Sequence, residues 1–310
     1  MMLPYVGSGD YCYANSLYMS LLGSGANPDQ LPSPGFLECL TTMPFGNTYL
    51  NAAKLFFFDG LDPHQGLTRA IETLGWTCRV EQGGDEHRAL ERLRVAIQHG
   101  PVLIGPLDMG YLTYNPNYPF NGGADHFVVV LAVEPDHVQV HDPKGFPCAT
   151  LPLENLLKAW RAERIDYVDE TYILRADFRP VETVSRQEMI RRTLPFIRFN
   201  VQRDSGGPEV YGGVRALGML VQTLRTEMPE HLASHLFYFA LPLAIRRKLD
   251  AQAFLEEGNR PEAARLLEQQ ARLLGQAQYP GVQHEWSAVA ALIEQVATLE
   301  ERFIAVCASW

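Results

Sequence analysis

Residues 125–143, DHFVVVLAVEPDHVQVHDP, determine how the first half of this chain folds. Two apolar, β-branched runs, 126–133 and 137–141, flank a short turn that contains proline and aspartate. This pattern is typical of an antiparallel hairpin. The hairpin places His126 at the start of one strand and Asp142 at the end of the next, so both residues lie at the same open end.

Helical and strand patterns alternate on both sides of this hairpin. Apolar residues at helical spacing, closed by glycine or proline, define the helices. The predicted helices are 14–22, 64–75, 86–99 and 153–162, and the additional strands are 102–104 and 171–174. Together with the hairpin, they indicate an α+β domain built on an antiparallel sheet.

The composition changes near residue 180. Beyond that point Ala, Leu, Glu, Gln and Arg dominate, and these residue types favour helix. The predicted helices are 187–199, 213–227, 230–257 (interrupted at Pro242), 260–275 and 284–307. The sequence therefore predicts two domains, an α+β domain at 1–180 and an all-helical domain at 181–310.

Composition and charge exclude several classes of protein. The net charge of −10 argues against a nucleic-acid-binding protein, which normally has a basic face. No apolar run is long enough to span a bilayer, and the N-terminus lacks the pattern of a secretory signal. Five scattered cysteines without a C-x-x-C pair fit neither a disulfide framework nor a paired zinc site. We therefore expect a cytoplasmic protein without membrane or nucleic-acid partners.

The negative charge is concentrated in the first part of the chain. Residues 1–180 contain 21 Asp and Glu against 12 Lys and Arg, whereas residues 181–310 contain 15 against 14. Such a surplus attracts a cationic substrate over long range, although an acidic surface also serves solubility alone.

One cysteine has a sequence context that favours reactivity. The stretch 7–17, GSGDYCYANSL, leads from a glycine-containing loop into a helix that begins near Cys12. The unpaired amides and the dipole of a helix start stabilise a thiolate, and the Cys12 amide also lies near the position of an acyl oxyanion. The alternative is that Cys12 is a packing residue, because free cysteines are commonly buried.

The open end of the hairpin supplies the groups that such a thiol needs. His126 there can activate a thiol, and Asp142 can orient the imidazole. Whether the two side chains share a face depends on the strand register, which the sequence leaves open. Otherwise they are a histidine at a strand edge and an aspartate in a turn.

The order Cys, His, Asp resembles that of papain-like cysteine enzymes, including the bacteriocin-leader-peptidase branch. The chain is more similar to the butirosin biosynthesis protein H family. The segments that carry this resemblance are 10–17 (DYCYANSL), 105–112 (GPLDMGYL), 125–130 (DHFVVV), the Asp142-Pro143 pair and 211–213 (YGG). The resemblance implies a papain-like α+β domain followed by an all-helical domain.

The resemblance also implies cysteine-dependent acyl transfer. Cys12 would be the nucleophile, His126 the general base and then acid, and Asp142 the residue that orients it. The chain departs from papain-like peptidases in having no glutamine before the cysteine, since its first glutamine is Gln30. The Cys12 amide together with Ser8 or Tyr5 would then form the oxyanion hole.

Substrate contacts are expected around these residues. The candidates are Tyr11, Asp108, Tyr111 and Asp125, of which the two aspartates could receive ammonium groups. The expected partners are a small-molecule amine acceptor and an acyl thioester donor such as an acyl-carrier protein, with a homo-oligomer also considered. No cofactor is expected, and no metal, because neither His137 with His141 and Asp142 nor the pair His231 and His235 has a convincing further ligand.

Two other functions remain open at this stage. The chain could be a peptidase of the bacteriocin-leader type, or a hydrolase that releases the acyl group to water. It could also be a catalytically inactive papain-like protein that serves as a binding or accessory module.

Overall fold

The computed structural model describes residues 11–60, 62–207 and 209–310, which form two compact units. The described part of the first unit comprises residues 11–37 and 67–183, and the second unit comprises residues 38–66 and 184–310. The predicted boundary near 180 lies close to residue 183, after which the chain passes into the second unit for the last time. The assignment of 38–66 to the second unit was not expected from the sequence.

The structure is α+β with antiparallel sheets and a helical C-terminal region. The helices up to residue 180 are α1 (Cys12–Gly23), α2 (Pro34–Thr41), α3 (Pro63–Thr73), α4 (Glu86–Ala96) and α5 (Leu153–Arg161). The strands are β1 (Thr48–Leu50), β2 (Leu55–Phe57), β3 (Trp76–Glu81), β4 (Val102–Asp108), β5 (Asp125–Val133), β6 (His137–Asp142), β7 (Phe146–Pro152), β8 (Leu174–Pro180), β9 (Ser205–Gly207) and β10 (Val210–Gly212). The later helices are α6 (Arg186–Gln202), α7 (Gly213–Thr226), α8 (Glu230–His235), α9 (Leu241–Glu257), α10 (Pro261–Val282) and α11 (Trp286–Cys307).

The first unit is built around an antiparallel sheet in the order β3-β8-β4-β5-β6-β7. The predicted hairpin is β5–β6, in which Val130 pairs with Val140 and Val133 with Val138. Valine-rich strands suit a sheet covered by other elements, because β-branched side chains pack well on a pleated surface. Every residue of β4 is buried, and so are the five residues from His126 to Val130.

Helix α1 packs on this sheet against β5. Eight of its twelve residues are buried, which is typical of a helix enclosed in a core. The Ser16 hydroxyl donates a hydrogen bond of 3.1 Å to the carbonyl of Phe127, and the Tyr13 ring meets the Phe127 ring edge-on at 5.9 Å. These contacts fix the start of α1 relative to the residue that follows His126.

The second unit combines helices α6 to α11 with a four-stranded antiparallel sheet in the order β2-β1-β10-β9. Its core contains Tyr49 and Phe56 from the 38–66 segment together with apolar residues of α7, α9, α10 and α11. The Tyr49 hydroxyl lies 2.8 Å from that of Thr223. The 38–66 segment is therefore an integral part of this core.

The interruption predicted at Pro242 takes the form of a π-helical turn, Leu236–Ala240, between α8 and α9. Pro242 is the second residue of α9, directly after this π-helical turn. Among the helices of the described residues, none has the length and hydrophobicity needed to cross a bilayer.

Candidate active site

Cys12 is the first residue of α1, and its side chain is half-buried. The preceding residue, Tyr11, occupies the N-cap position without a capping side-chain hydrogen bond. The amides of the first helical turn have no partner within the helix. The sulfur of Cys12 therefore lies at the positive end of the α1 dipole.

The hairpin brings His126 and Asp142 together. The Nε2 atom of His126 lies 2.6 Å from Oδ1 of Asp142, and the two side chains are only 3 % and 0 % exposed. His126 is the second residue of β5, and Asp142 is the last residue of β6. The register that the sequence left open therefore puts both side chains on the same side of the hairpin.

The Cys12 side chain lies close enough to the His126 imidazole to help raise the pKa of His126. Because Nε2 of the imidazole is engaged by Asp142, Nδ1 is the ring nitrogen left for the sulfur. The imidazole thus lies between the Cys12 thiol and the Asp142 carboxylate. Such an arrangement can supply a nucleophile, a base and an orienting group for covalent acyl transfer.

Two further groups hold the Asp142 carboxylate. The Lys144 amide donates to Oδ1 over 2.7 Å, and the Tyr114 hydroxyl donates to Oδ2 over 2.9 Å. Tyr114 was not identified from the sequence as a partner of Asp142. No local pattern links the two residues, because the contact depends on how the loop between β4 and β5 folds back on the sheet.

The electrostatics of the pair favour its charged form. Burial by itself lowers the pKa of His126, but Asp142, with a smaller contribution from Cys12, outweighs burial and raises this pKa to about 10. Burial raises the pKa of Asp142, whereas His126, Lys144 and Tyr114 outweigh that effect and hold the pKa below its ordinary value. At neutral pH the site therefore contains an imidazolium beside a carboxylate.

The Asp108 carboxylate is bonded to groups of the protein itself. It is 1 % exposed, and its Oδ1 accepts hydrogen bonds from the amides of Gly110 (2.9 Å) and Gly123 (3.0 Å). Its Oδ2 lies 2.6 Å from Nε of Arg164. These bonds close the base of the loop that leads to His126. The predicted contact with a substrate ammonium finds no open carboxylate oxygen here, and Asp108 instead anchors the loop.

The other predicted substrate residues have mixed environments. Tyr11 is fully buried, and Tyr111 is half-buried beneath the Arg164 guanidinium, which lies 5.4 Å from its ring centroid. Asp125 is half-buried and accepts a hydrogen bond of 2.8 Å from the Tyr167 hydroxyl. Ser8 and Tyr5, the expected oxyanion donors, lie outside the described residues.

The histidines considered as metal ligands have other roles. His231 and His235 each direct Nε2 at a backbone carbonyl, that of Ala53 (3.0 Å) and that of Phe56 (2.9 Å). In the part of the chain that the structure describes, no three His, Cys, Asp or Glu side chains converge on a metal position.

Three other cysteines lie in environments that disfavour a thiolate. Burial raises the pKa of Cys78 to about 11, and it raises the pKa of Cys39 and of Cys307 as well. Buried thiols of this kind are poor nucleophiles.

The fold and this site define an α+β protein in which a histidine side chain lies between a cysteine and an aspartate. Residues 207–308 match the family described as the YobF C-terminal domain. Over 304 residues the chain is 30 % identical to "Uncharacterized protein YobF" of Bacillus subtilis strain 168, and the alignment covers 97 % of each chain. The chain therefore belongs to the YobF family.

Proposed function

We propose that this protein is a papain-like cysteine enzyme that transfers acyl groups through a thioester on Cys12. The observation that carries the proposal is the buried 2.6 Å contact between His126 and Asp142, with the Cys12 thiol beside the imidazole. A buried charged pair is costly to maintain unless its partners satisfy it, and here Lys144 and Tyr114 complete the set. Such arrangements cluster at functional sites.

The chemistry follows from the geometry. The Cys12 thiolate attacks the carbonyl carbon of the donor, so a C–S bond forms and the carbonyl electron pair moves to oxygen. When this intermediate collapses, the leaving group departs with the proton from Nδ1 of His126. An amine then attacks the thioester and gives its proton to His126, the C–N bond forms, and the C–S bond breaks to regenerate the thiolate.

An amine-containing small metabolite is the proposed acceptor. The acidic surplus of residues 1–180 favours the approach of a cation over that of an anion. The resemblance to the butirosin biosynthesis protein H family points the same way, and it makes an acyl thioester the proposed donor. Release of the acyl group to water would make the same site a hydrolase.

The test is covalent capture of the acyl group. Wild-type protein is incubated with the acetyl thioester of N-acetylcysteamine and examined by intact-mass spectrometry. We expect a single added acetyl group on Cys12, and we expect its loss with formation of an amide when an aminoglycoside or polyamine is added. The Cys12→Ala variant is the matched control and should gain no acetyl group.

Other outcomes identify the alternatives. Cleavage of peptides without acyl transfer to amines would assign the site to a peptidase. Absence of any adduct on wild-type Cys12, with labelling by iodoacetamide no faster than at the other thiols, would contradict the proposal and leave a binding or accessory role.

A further inference from the structure

An acyl-transfer site must stabilise a negative oxygen in the transition state. The backbone amide at a helix start is one donor, and such sites generally use at least two donors. The helix itself offers two more side chains near the nucleophile, because residues three and four positions on lie on the same face. For Cys12 these residues are Asn15 and Ser16.

The Ser16 hydroxyl already has a hydrogen-bond partner within the protein. It donates to the Phe127 carbonyl at 3.1 Å, and this bond ties α1 to β5. Asn15 differs from Ser16. The residue is only 2 % exposed, and its buried Nδ2 atom has no hydrogen-bond partner. Buried amide groups are almost always paired, so an unpaired one at this position requires an explanation.

The position of Asn15 supplies that explanation. Helical side chains lean towards the N-terminus of their helix, so we expect the Asn15 amide over the turn that begins with Cys12. We propose that the Asn15 side-chain amide donates a hydrogen bond to the oxyanion formed on the acyl group at Cys12, an inference that rests on the proposed function. The donor has no protein partner to release, so the new bond forms without breaking another.

The choice of residue is consistent with this role. Asparagine is a poor helix former, and a buried amide without a partner costs folding free energy. A residue that combines low helix propensity with an unpaired buried amide, one turn from a nucleophile, is typical of a functional site, because such sites retain residues that reduce stability. An apolar residue of similar size would satisfy the fold better.

The experiment separates two reactions of the same thiol. Alkylation by iodoacetamide displaces iodide directly and forms no oxyanion, whereas acylation by p-nitrophenyl acetate passes through one. In Asn15→Leu we expect the acylation rate to fall by about 10²–10³-fold. We expect the alkylation rate to stay within about two-fold of wild type, because the thiol and His126 are untouched.

Stability provides a second readout. Asn15→Leu removes an unpaired amide, so its melting temperature should equal or exceed that of wild type. Ser20→Ala, which removes a buried polar group further along α1, is the matched control and should leave both rates unchanged. If Asn15→Leu does not fold, Asn15→Ala is measured in its place with the same expectations for the two rates.

Three results would overturn the assignment, and they are distinguishable. Equal acylation rates for wild type and Asn15→Leu would remove Asn15 from the reaction and leave the proposed function intact. Equal losses in alkylation and acylation would make Asn15 a residue that positions Cys12. Failure of wild type to be acylated would refute the proposed function itself.

Discussion

At the scale of single residues, Asp142 connects the fold to the chemistry. Its carboxylate is buried at the end of β6, and it accepts hydrogen bonds from His126, from the Lys144 amide and from the Tyr114 hydroxyl. A carboxylate held at both oxygens cannot rotate. The imidazole of His126 is therefore fixed in the orientation that directs Nδ1 at the Cys12 sulfur.

This charged pair makes stability depend on pH. The pKa of His126 is about 10 in the folded protein and close to 6.5 when unfolded, so its contribution is complete below pH 6.5 and is lost as the pH rises towards 10. The slope is at most about 1.4 kcal/mol per pH unit. Asp142→Asn removes the charge that raises the pKa, so the decline in melting temperature over this range should largely disappear. Thermal denaturation from pH 6 to 10 checks this, and parallel curves for the two proteins would contradict it.

Tyr114 should act as a positioning residue. Tyr114→Phe removes the hydroxyl that donates to Oδ2 of Asp142, a hydrogen bond to a charged group worth roughly 1.5–3 kcal/mol. We expect a melting temperature below that of wild type, and a kcat for acyl transfer reduced about ten-fold, with KM unchanged. Tyr118→Phe in the same loop is the control. A change in KM alone would instead indicate that Tyr114 contacts substrate.

At the scale of elements, the site depends on the close packing of β4 against β5. Gly105 in β4 has a φ of +150°, and a Cβ built there would lie 2.4 Å from the Phe127 ring and 2.8 Å from the His126 carbonyl oxygen. Only glycine meets both conditions without strain. A side chain at this position would displace the strand that carries His126.

Gly105→Ala should therefore damage both stability and the site. Overpacking a core in this way typically costs about 1–3 kcal/mol, and displacement of His126 should slow the alkylation of Cys12 by iodoacetamide. Gly145→Ala is the matched control, because Gly145 also has a positive φ (+101°) but has nothing within 4 Å of its Cβ position. Equal losses of stability in the two variants would attribute the effect to backbone strain alone.

The same elements show what local sequence patterns determine. The hairpin predicted at 126–133 and 137–141 is observed as β5 and β6 with nearly the same bounds, because apolar, β-branched runs around a proline-containing turn are a local signal. Helix α1 is likewise close to its predicted range. Contacts between residues that are far apart in the sequence have no such local pattern. The Tyr114 hydroxyl contacts Asp142 because the loop that contains Tyr114 folds back on the sheet. The ion pair between Asp108 and Arg164 likewise joins residues that are far apart in the sequence.

At the scale of the whole molecule, the route of the chain could not be read from composition. Residues 38–66 contain short strands and an apolar stretch that fit the preceding α+β pattern equally well. Their place in the second unit is decided by contacts across a large sequence separation. Tyr49 of β1 pairs with Tyr211 of β10, and Glu38 meets Arg247 of α9. Such pairings depend on tertiary structure, which no window of sequence contains.

The buried Arg247 should be the main polar anchor of that segment. Its Nε lies 2.8 Å from Oε1 of Glu38, which is fully buried, and its Nη1 lies 3.3 Å from Oδ2 of Asp59. Removal of one partner from a buried ion pair leaves an uncompensated charge and costs about 3–5 kcal/mol. Arg247→Ala should therefore lower the free energy of unfolding by that amount.

The same variant should also loosen the strands that the segment contributes. Hydrogen exchange at the amides of β1 and β2 should accelerate more than exchange in the sheet of the first unit, because the loss is local to the second unit. Arg225→Ala is the control, since Arg225 pairs with Glu294 on an exposed surface, where such pairs contribute less than about 1 kcal/mol. Equal effects of the two substitutions, or uniform exchange across both units, would show that the segment is held by its apolar contacts rather than by Arg247.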